Sequence, residues 1–154
     1  MTLLARTATL ALLVAAPLFS MAQKDAKALQ KMYMDYLSEE GYRPEVDGDG
    51  DVQFKAEGRT YFIDVTEDDQ EYFRVALANI WPIESEKERE QCYIACDFSN
   101  AQTKVAKAYL VKDNIWVGIE IFVAEPGDFK AVFKRSMSAL NSGVDNFVKK
   151  MKEE

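Results

Sequence analysis

The chain has 154 residues, with 26 acids against 19 bases, a net charge of −7 and no histidine. The acidic balance argues against a nucleic-acid backbone or an anionic membrane surface as partner. The missing imidazole rules out His-based hydrolytic triads and leaves only Cys and carboxylates for a zinc site.

The first stretch, MTLLARTATLALLVAAPLFSMAQ, has the parts of a secretory signal peptide. Arg6 supplies the positive start, Thr7 to Ser20 the apolar core, and Ser20-Met21-Ala22 a small-x-small cleavage site. The apolar run is too short to span a bilayer comfortably, and no cysteine follows the cut to carry a lipid. Residues 1–22 are therefore expected to be the signal peptide and residues 23–154 one domain. The expected location is the periplasm or the exterior, with no membrane insertion after cleavage. Cleavage removes Arg6 and no acid, so the charge goes from −7 to −8, with 18 bases against 26 acids.

Residues 24–40 are predicted to form the first helix. Ala26, Leu29, Tyr33, Tyr36 and Leu37 recur at three and four, and Gly41 follows as a cap. Four strand-like segments come next: YRPEV, DVQFKA, RTYFIDV and EYFRVALANIW. Between the first two lies VDGDGDVQF, in which Asp47, Asp49 and Asp51 alternate with glycines. An EF-hand loop needs Gly at its sixth position and Glu at its twelfth. Counting from Asp47 puts Val52 and Gly58 there, and counting from Glu45 puts Ala56 at the twelfth. A three-residue turn at Gly48–Gly50 instead pairs Val46 with Val52 and Glu45 with Gln53, like with like. A hairpin is therefore expected, and no metal site. A two-residue loop at Glu57-Gly58 then pairs Phe54 with Tyr61 and Val52 with Ile63. One core face is expected to run from Val46 through three strands.

ESEKEREQCYIACDFSNAQ reads as a second helix, with acids in its first turn as the dipole prefers. Cys92 and Cys96 lie four apart, a helical spacing that aims them poorly for a bridge and differs from the redox C-x-x-C. They are read as small buried apolar residues. KVAKAYLV and NIWVGIEIFVA form a last hairpin, with an expected loop at Asp113-Asn114 that pairs Leu110 with Val117 and Ala108 with Ile119. Its other face carries Tyr109, Trp116 and Phe122 around a Lys107–Glu120 ion pair, and Phe62 occupies the outer face of its own strand. That face is expected to be largely apolar. Either a helix covers it, or it is an aromatic surface for a partner or a second copy, or its crowded aromatics merely protect exposed strands. GDFKAVFKRSMSALNSGVDNFVKKM is a long helix with Phe129, Val132, Phe133, Met137, Leu140, Val144, Phe147, Val148 and Met151 on one stripe and Asp128 as its cap. The order α-β-β-β-β-α-β-β-α gives an α+β fold with an antiparallel sheet.

Little in the chain points to catalysis. Asp64, Asp68, Asp69, Asp97 and Glu120 have no spacing that specifies an acid–base pair. No phosphate-binding glycine loop or nucleophile motif occurs, and no cofactor is expected.

The run YLSEEGYRPEVDGDGDVQFKAEGRTYFIDV, the strand ending ANIW, and the helix, hairpin and long helix after it resemble the YbjN-like family. These are bacterial sensory transduction regulators that share the type III secretion chaperone-like fold. The resemblance covers about Leu29 to Met151. It implies a protein that is not an enzyme, binds protein segments along helix and sheet surfaces or dimerises, and has no catalytic residue to carry over. The signal peptide departs from the cytosolic members. The expected function is an exported interaction or chaperone-like module that binds a protein or itself through Tyr109, Trp116, Phe122 and Phe62. The alternative is a small-ligand sensor with a pocket between the sheet and the long helix.

Overall fold

The computed structural model describes residues 16–153, with side chains from residue 26 onward. The elements are α1 (Ala16–Glu39), β1 (Glu45–Val46), β2 (Val52–Ala56), β3 (Arg59–Ile63), β4 (Tyr72–Pro82), α2 (Glu86–Gln102), β5 (Ala106–Val111), β6 (Asn114–Phe122) and α3 (Phe129–Lys152). A 3-10 turn at Pro126–Asp128 leads into α3. The fold is α+β, in the predicted order of elements. All strand pairs are antiparallel, in one sheet ordered β1-β2-β3-β4-β6-β5. The α2 connection carries the chain past the place that β6 later fills, so β5 becomes an edge strand.

Residues 1–15 of the expected signal peptide lie outside the described residues. Residues 16–22 begin α1, which continues past Ala22 and Gln23 to Glu39. No helix among the described residues is long and apolar enough to cross a membrane.

The apolar stripe of α1 lands where its spacing places it: Ala26, Leu29, Tyr33, Tyr36 and Leu37 are all buried. Gly41 ends the helix at φ +90°. Its N–H donates to Ser38 O at 3.1 Å and that of Tyr42 to Leu37 O at 2.9 Å, the paired bonds of a Schellman cap. The α1 rings meet those of α3 edge to face. Tyr33–Phe129 centroids are 4.8 Å apart and Tyr36–Phe133 are 5.3 Å apart. Phe54 and Tyr61 stack at 5.4 Å beneath them. Such ring contacts add about 0.5–1.5 kcal/mol each beyond area burial.

The stripe of α3 is buried at Phe129, Phe133, Met137, Leu140, Val144 and Phe147, and half-buried at Val132, Val148 and Met151. Gly143 extends it. A Cβ there would meet Ala106 Cβ and Val117 Cγ1 at 3.1 Å, so glycine lets the helix sit close on the sheet. Asp128 does not cap α3. Its carboxylate turns back to accept the Glu125 N–H at 3.2 Å and closes the preceding turn instead.

Both early hairpins have the predicted registers. Glu45 pairs with Gln53 and Val46 with Val52, while Phe54 pairs with Tyr61 and Val52 with Ile63. Glu57 and Gly58 take φ +50° and +79°, the doubly positive pattern that suits a two-residue hairpin loop. Val46 does not join the core, however. β1 is a two-residue edge strand, Val46 stays 44% exposed, and the core face begins at Val52.

The last hairpin turns one residue earlier than expected, at Lys112-Asp113. Val111 pairs with Asn114, Tyr109 with Trp116 and Ala108 with Val117. The cause is tertiary. Arg89 of α2 donates to Asp113 Oδ1 at 2.6 Å, and the Asp113 carbonyl accepts the Ile83 N–H at 2.9 Å. Every partner moves by two residues, so each side chain keeps its predicted face.

Candidate functional site

Strand alternation divides the sheet into two faces. Phe54, Tyr61, Phe73, Val75, Val117 and Ile119 lie on one, each at most 1% exposed. All three helices join that face in a single core. The opposite face carries Phe62, Tyr72, Arg74, Tyr109, Trp116, Glu120 and Phe122, and among the described residues no helix covers it.

Arg74 occupies the centre of this open face. It sits directly across from Glu120 on β6. Its Nη1 lies 2.5 Å from Asp64 Oδ2, its Nε 3.6 Å from Glu120 Oε1, and its Nη2 donates to Tyr109 Oη at 2.6 Å. Lys107 adds a second ion pair to Glu120. The side chains of Arg74, Asp64 and Glu120 are only 17%, 25% and 24% exposed. Burial works against the charged guanidinium, but the hydrogen bonds to Asp64 and Tyr109 outweigh it and raise its pKa above the ordinary arginine value. Burial, with the Glu120 charge next to it, pushes the Tyr72 phenol up.

Two of the four expected binding residues come together. Tyr109 and Trp116 are direct cross-strand partners. Phe62 lies on the same face but two strands from Trp116 and three from Tyr109, in the row of the Ala76–Gly118 pair. Trp116 Nε1 donates to Asn79 Oδ1 at 3.1 Å, and Asn79 holds φ +54° in a bulge of β4 between Leu77 and Trp81. Phe122 is not part of this group. It lies six residues along β6 from Trp116, roughly 20 Å at strand rise. There it is 78% exposed and touches Tyr72, with ring centroids 5.9 Å apart. The face expected to be largely apolar thus has a charged centre between two aromatic ends. Arg74 was missed because β4 was given no register. Its alternation, with Phe73, Val75 and Leu77 inward and Tyr72, Arg74 and Ala76 outward, is the signal that places it.

The aspartates of VDGDGDVQF serve the turn. Asp47 Oδ1 accepts the N–H groups of Asp49 at 2.9 Å and Asp51 at 3.0 Å, and Asp51 Oδ1 accepts that of Val65 at 2.8 Å. Burial pushes the Asp51 carboxyl up, and the Asp64 and Asp47 charges add to the shift. Among the described residues no group of three or more Asp, Glu or Cys is arranged to hold a metal. Cys92 and Cys96 are buried free thiols, pushed up by burial to about 11 and about 12.

The β5 edge is closed by α2. The Asn100 amide accepts the Ala108 N–H at 2.7 Å and donates to the Ala108 carbonyl at 3.2 Å, as a neighbouring strand would. Thr103 Oγ1 donates to the Ala106 carbonyl at 3.2 Å. These bonds occupy backbone groups that strand addition at this edge would need. Comparison with known proteins found no family model that matches the chain and no curated protein similar to it.

Proposed function

We propose that the chain is an exported, non-enzymatic protein-interaction module of the YbjN-like kind, and that it binds a protein through the open face of its sheet. One observation carries this reading. A six-stranded sheet has all its described helices on one side and leaves Phe62, Tyr109 and Trp116 half-exposed on the other. Aromatic side chains around an arginine are the composition enriched at protein interfaces. The charged cluster at the centre would set orientation, because a partner must match Arg74, Asp64, Glu120 and Lys107 in sign.

The reading is tested with Trp116→Glu and Phe122→Glu in a cross-linked pull-down from native cell-envelope extract. Both variants are expected to unfold within about 1 kcal/mol of the wild type, because neither side chain is in the core. Phe73→Ala is expected to cost about 3–5 kcal/mol. A discrete partner captured by the wild type and lost from Trp116→Glu supports the reading. Identical capture by the wild type and the folded variants, or recovery of the bait alone, overturns it. Loss of stability in Trp116→Glu as large as in Phe73→Ala would assign Trp116 to the core instead.

A further inference from the structure

β3 and β4 pair over only three positions, with Tyr61, Phe62 and Ile63 opposite Leu77, Ala76 and Val75. Beyond Leu77 the bulge at Asn79 turns β4 aside. The strands part there over a cleft of about 440 Å³. Val144 and Val148 of α3 line it together with Phe62, Leu77 and Ile80. Its polar groups come from Arg59, Thr60 and Asn79. A mostly apolar cleft of this volume with a few convergent polar groups is the common form of a small-molecule site.

Arg59 gives this cleft its sign. Its Nη1 donates to Asn141 Oδ1 at 3.2 Å, and the same oxygen accepts the Tyr61 hydroxyl at 2.8 Å. The half-buried guanidinium is thereby held on a neutral amide. Arg74 and Arg89 each pair with two acids, whereas Arg59 has no carboxylate within 4.0 Å among the described residues. Arg43 and Arg135 likewise have none, and what sets Arg59 apart is its place on the lining of this cleft. An arginine fork beside apolar walls is complementary to a carboxylate on an apolar body.

The geometry points to a binding site for a small amphipathic monocarboxylate, with its carboxylate on Arg59 and its apolar body against Val144, Val148 and Ile80. The site is separate from the Arg74 cluster and goes beyond the interaction surface proposed above.

The probes are sodium octanoate and, as a control of similar tail and opposite charge, octyltrimethylammonium. Each is titrated into the purified protein and followed by calorimetry and tryptophan fluorescence. Octanoate is expected to bind saturably with one site, at least about tenfold tighter than the cation. Arg59→Gln should weaken it at least about tenfold. Val148→Trp, which fills the cleft, should abolish binding while circular dichroism reports an intact fold. No saturable octanoate binding, equal binding of the cation, or unchanged binding in a folded Arg59→Gln each overturns the site. If Arg59→Gln does not fold, Val148→Trp decides alone, and retained binding there overturns the site.

Discussion

Tyr109 reaches over Gly118 to accept a hydrogen bond from Arg74, with β6 lying between their strands. Its Oη is 2.6 Å from Arg74 Nη2 and 3.7 Å from where a Cβ on Gly118 would stand. That crossing joins the aromatic end of the open face to its charged centre. It exists because the residue under the phenol carries no bulky side chain.

The crossing predicts opposite outcomes for two substitutions at one position. In Gly118→Ala the new methyl would meet Ala76 Cβ, Val75 O and Tyr109 Oη all at 3.7 Å, ordinary contact distance. Removing a strand glycine should then stabilise the protein by about 0.5 kcal/mol. In Gly118→Leu the side chain occupies the path of Tyr109 and breaks its bond to Arg74. That variant should lose about 1–2 kcal/mol, since the half-buried guanidinium forfeits a partner. Urea unfolding of both checks the pair. Equal stability of Ala and Leu variants would mean that Tyr109 does not depend on Gly118.

Asn100 supports a different prediction. Its amide satisfies both the N–H and the carbonyl of Ala108 on an edge strand. Asn100→Ala should cost about 1–2 kcal/mol and uncover backbone groups that template strand pairing. Concentration-dependent dimerisation is therefore expected in size-exclusion chromatography of Asn100→Ala, and much less of it in the wild type. Asn100→Asp keeps the acceptor for the Ala108 N–H and should be intermediate. An Asn100→Ala variant that is as stable as the wild type, with the same elution at every concentration, would show that the edge is closed by other means.

How far the sequence speaks is visible in the β2–β3 and β5–β6 hairpins. The Glu57-Gly58 turn is local chemistry, with two residues in positive φ and like facing like, and its register is readable directly. The Lys112-Asp113 turn is set by Arg89, which is far away in sequence, and by the Ile83 N–H. No local rule contains that information, so the predicted partners were off by two. Face assignments survive an even shift, which is why Tyr109 and Trp116 were placed correctly on the outer face. Arg74 needed only the alternation of β4 from Tyr72 to Leu77, which the bulge at Asn79 interrupts beyond that point. The cleft at Arg59 follows from where that bulge falls against α3, which only packing decides.

Asp51 tests the electrostatics of the β1–β2 turn. Its carboxyl is raised above the ordinary aspartate value by burial first, and the Asp64 and Asp47 charges add to that. A raised folded pKa contributes stability in acid that is lost as pH rises through that value, so at neutral pH the charge is a net penalty. Asp51→Asn keeps an oxygen for the Val65 N–H and removes the repulsion. It should be more stable than the wild type by roughly 0.3 kcal/mol at pH 7. The advantage should shrink as the pH is lowered through the raised pKa, where the wild-type carboxyl takes up its proton. A variant less stable than the wild type at pH 7 would show that Asp51 is worth more charged than neutral.

At alkaline pH the buried thiols set the direction. Burial holds Cys92 at about 11 and Cys96 at about 12, against an ordinary 9.0. Burial likewise raises the Tyr33 phenol from 10.0 to about 12. Above pH 9 the unfolded chain releases these protons while the folded chain keeps them. The folded state then binds more protons, so stability falls as pH rises from about 9 toward 12, by up to about 1.4 kcal/mol per pH unit for each thiol. Thermal melting in reducing buffer should show a steady loss over this window. The Cys92→Ala, Cys96→Ala double variant starts less stable, because it leaves small cavities, but should have a visibly shallower slope; the Tyr33 contribution remains. The same burial predicts that iodoacetamide at pH 8 labels neither thiol until the protein is unfolded, since the reactive thiolate is almost absent. Rapid labelling of the native protein, or parallel pH slopes for the wild type and the double variant, would place these cysteines in contact with solvent rather than in the core between α2, α3 and the sheet.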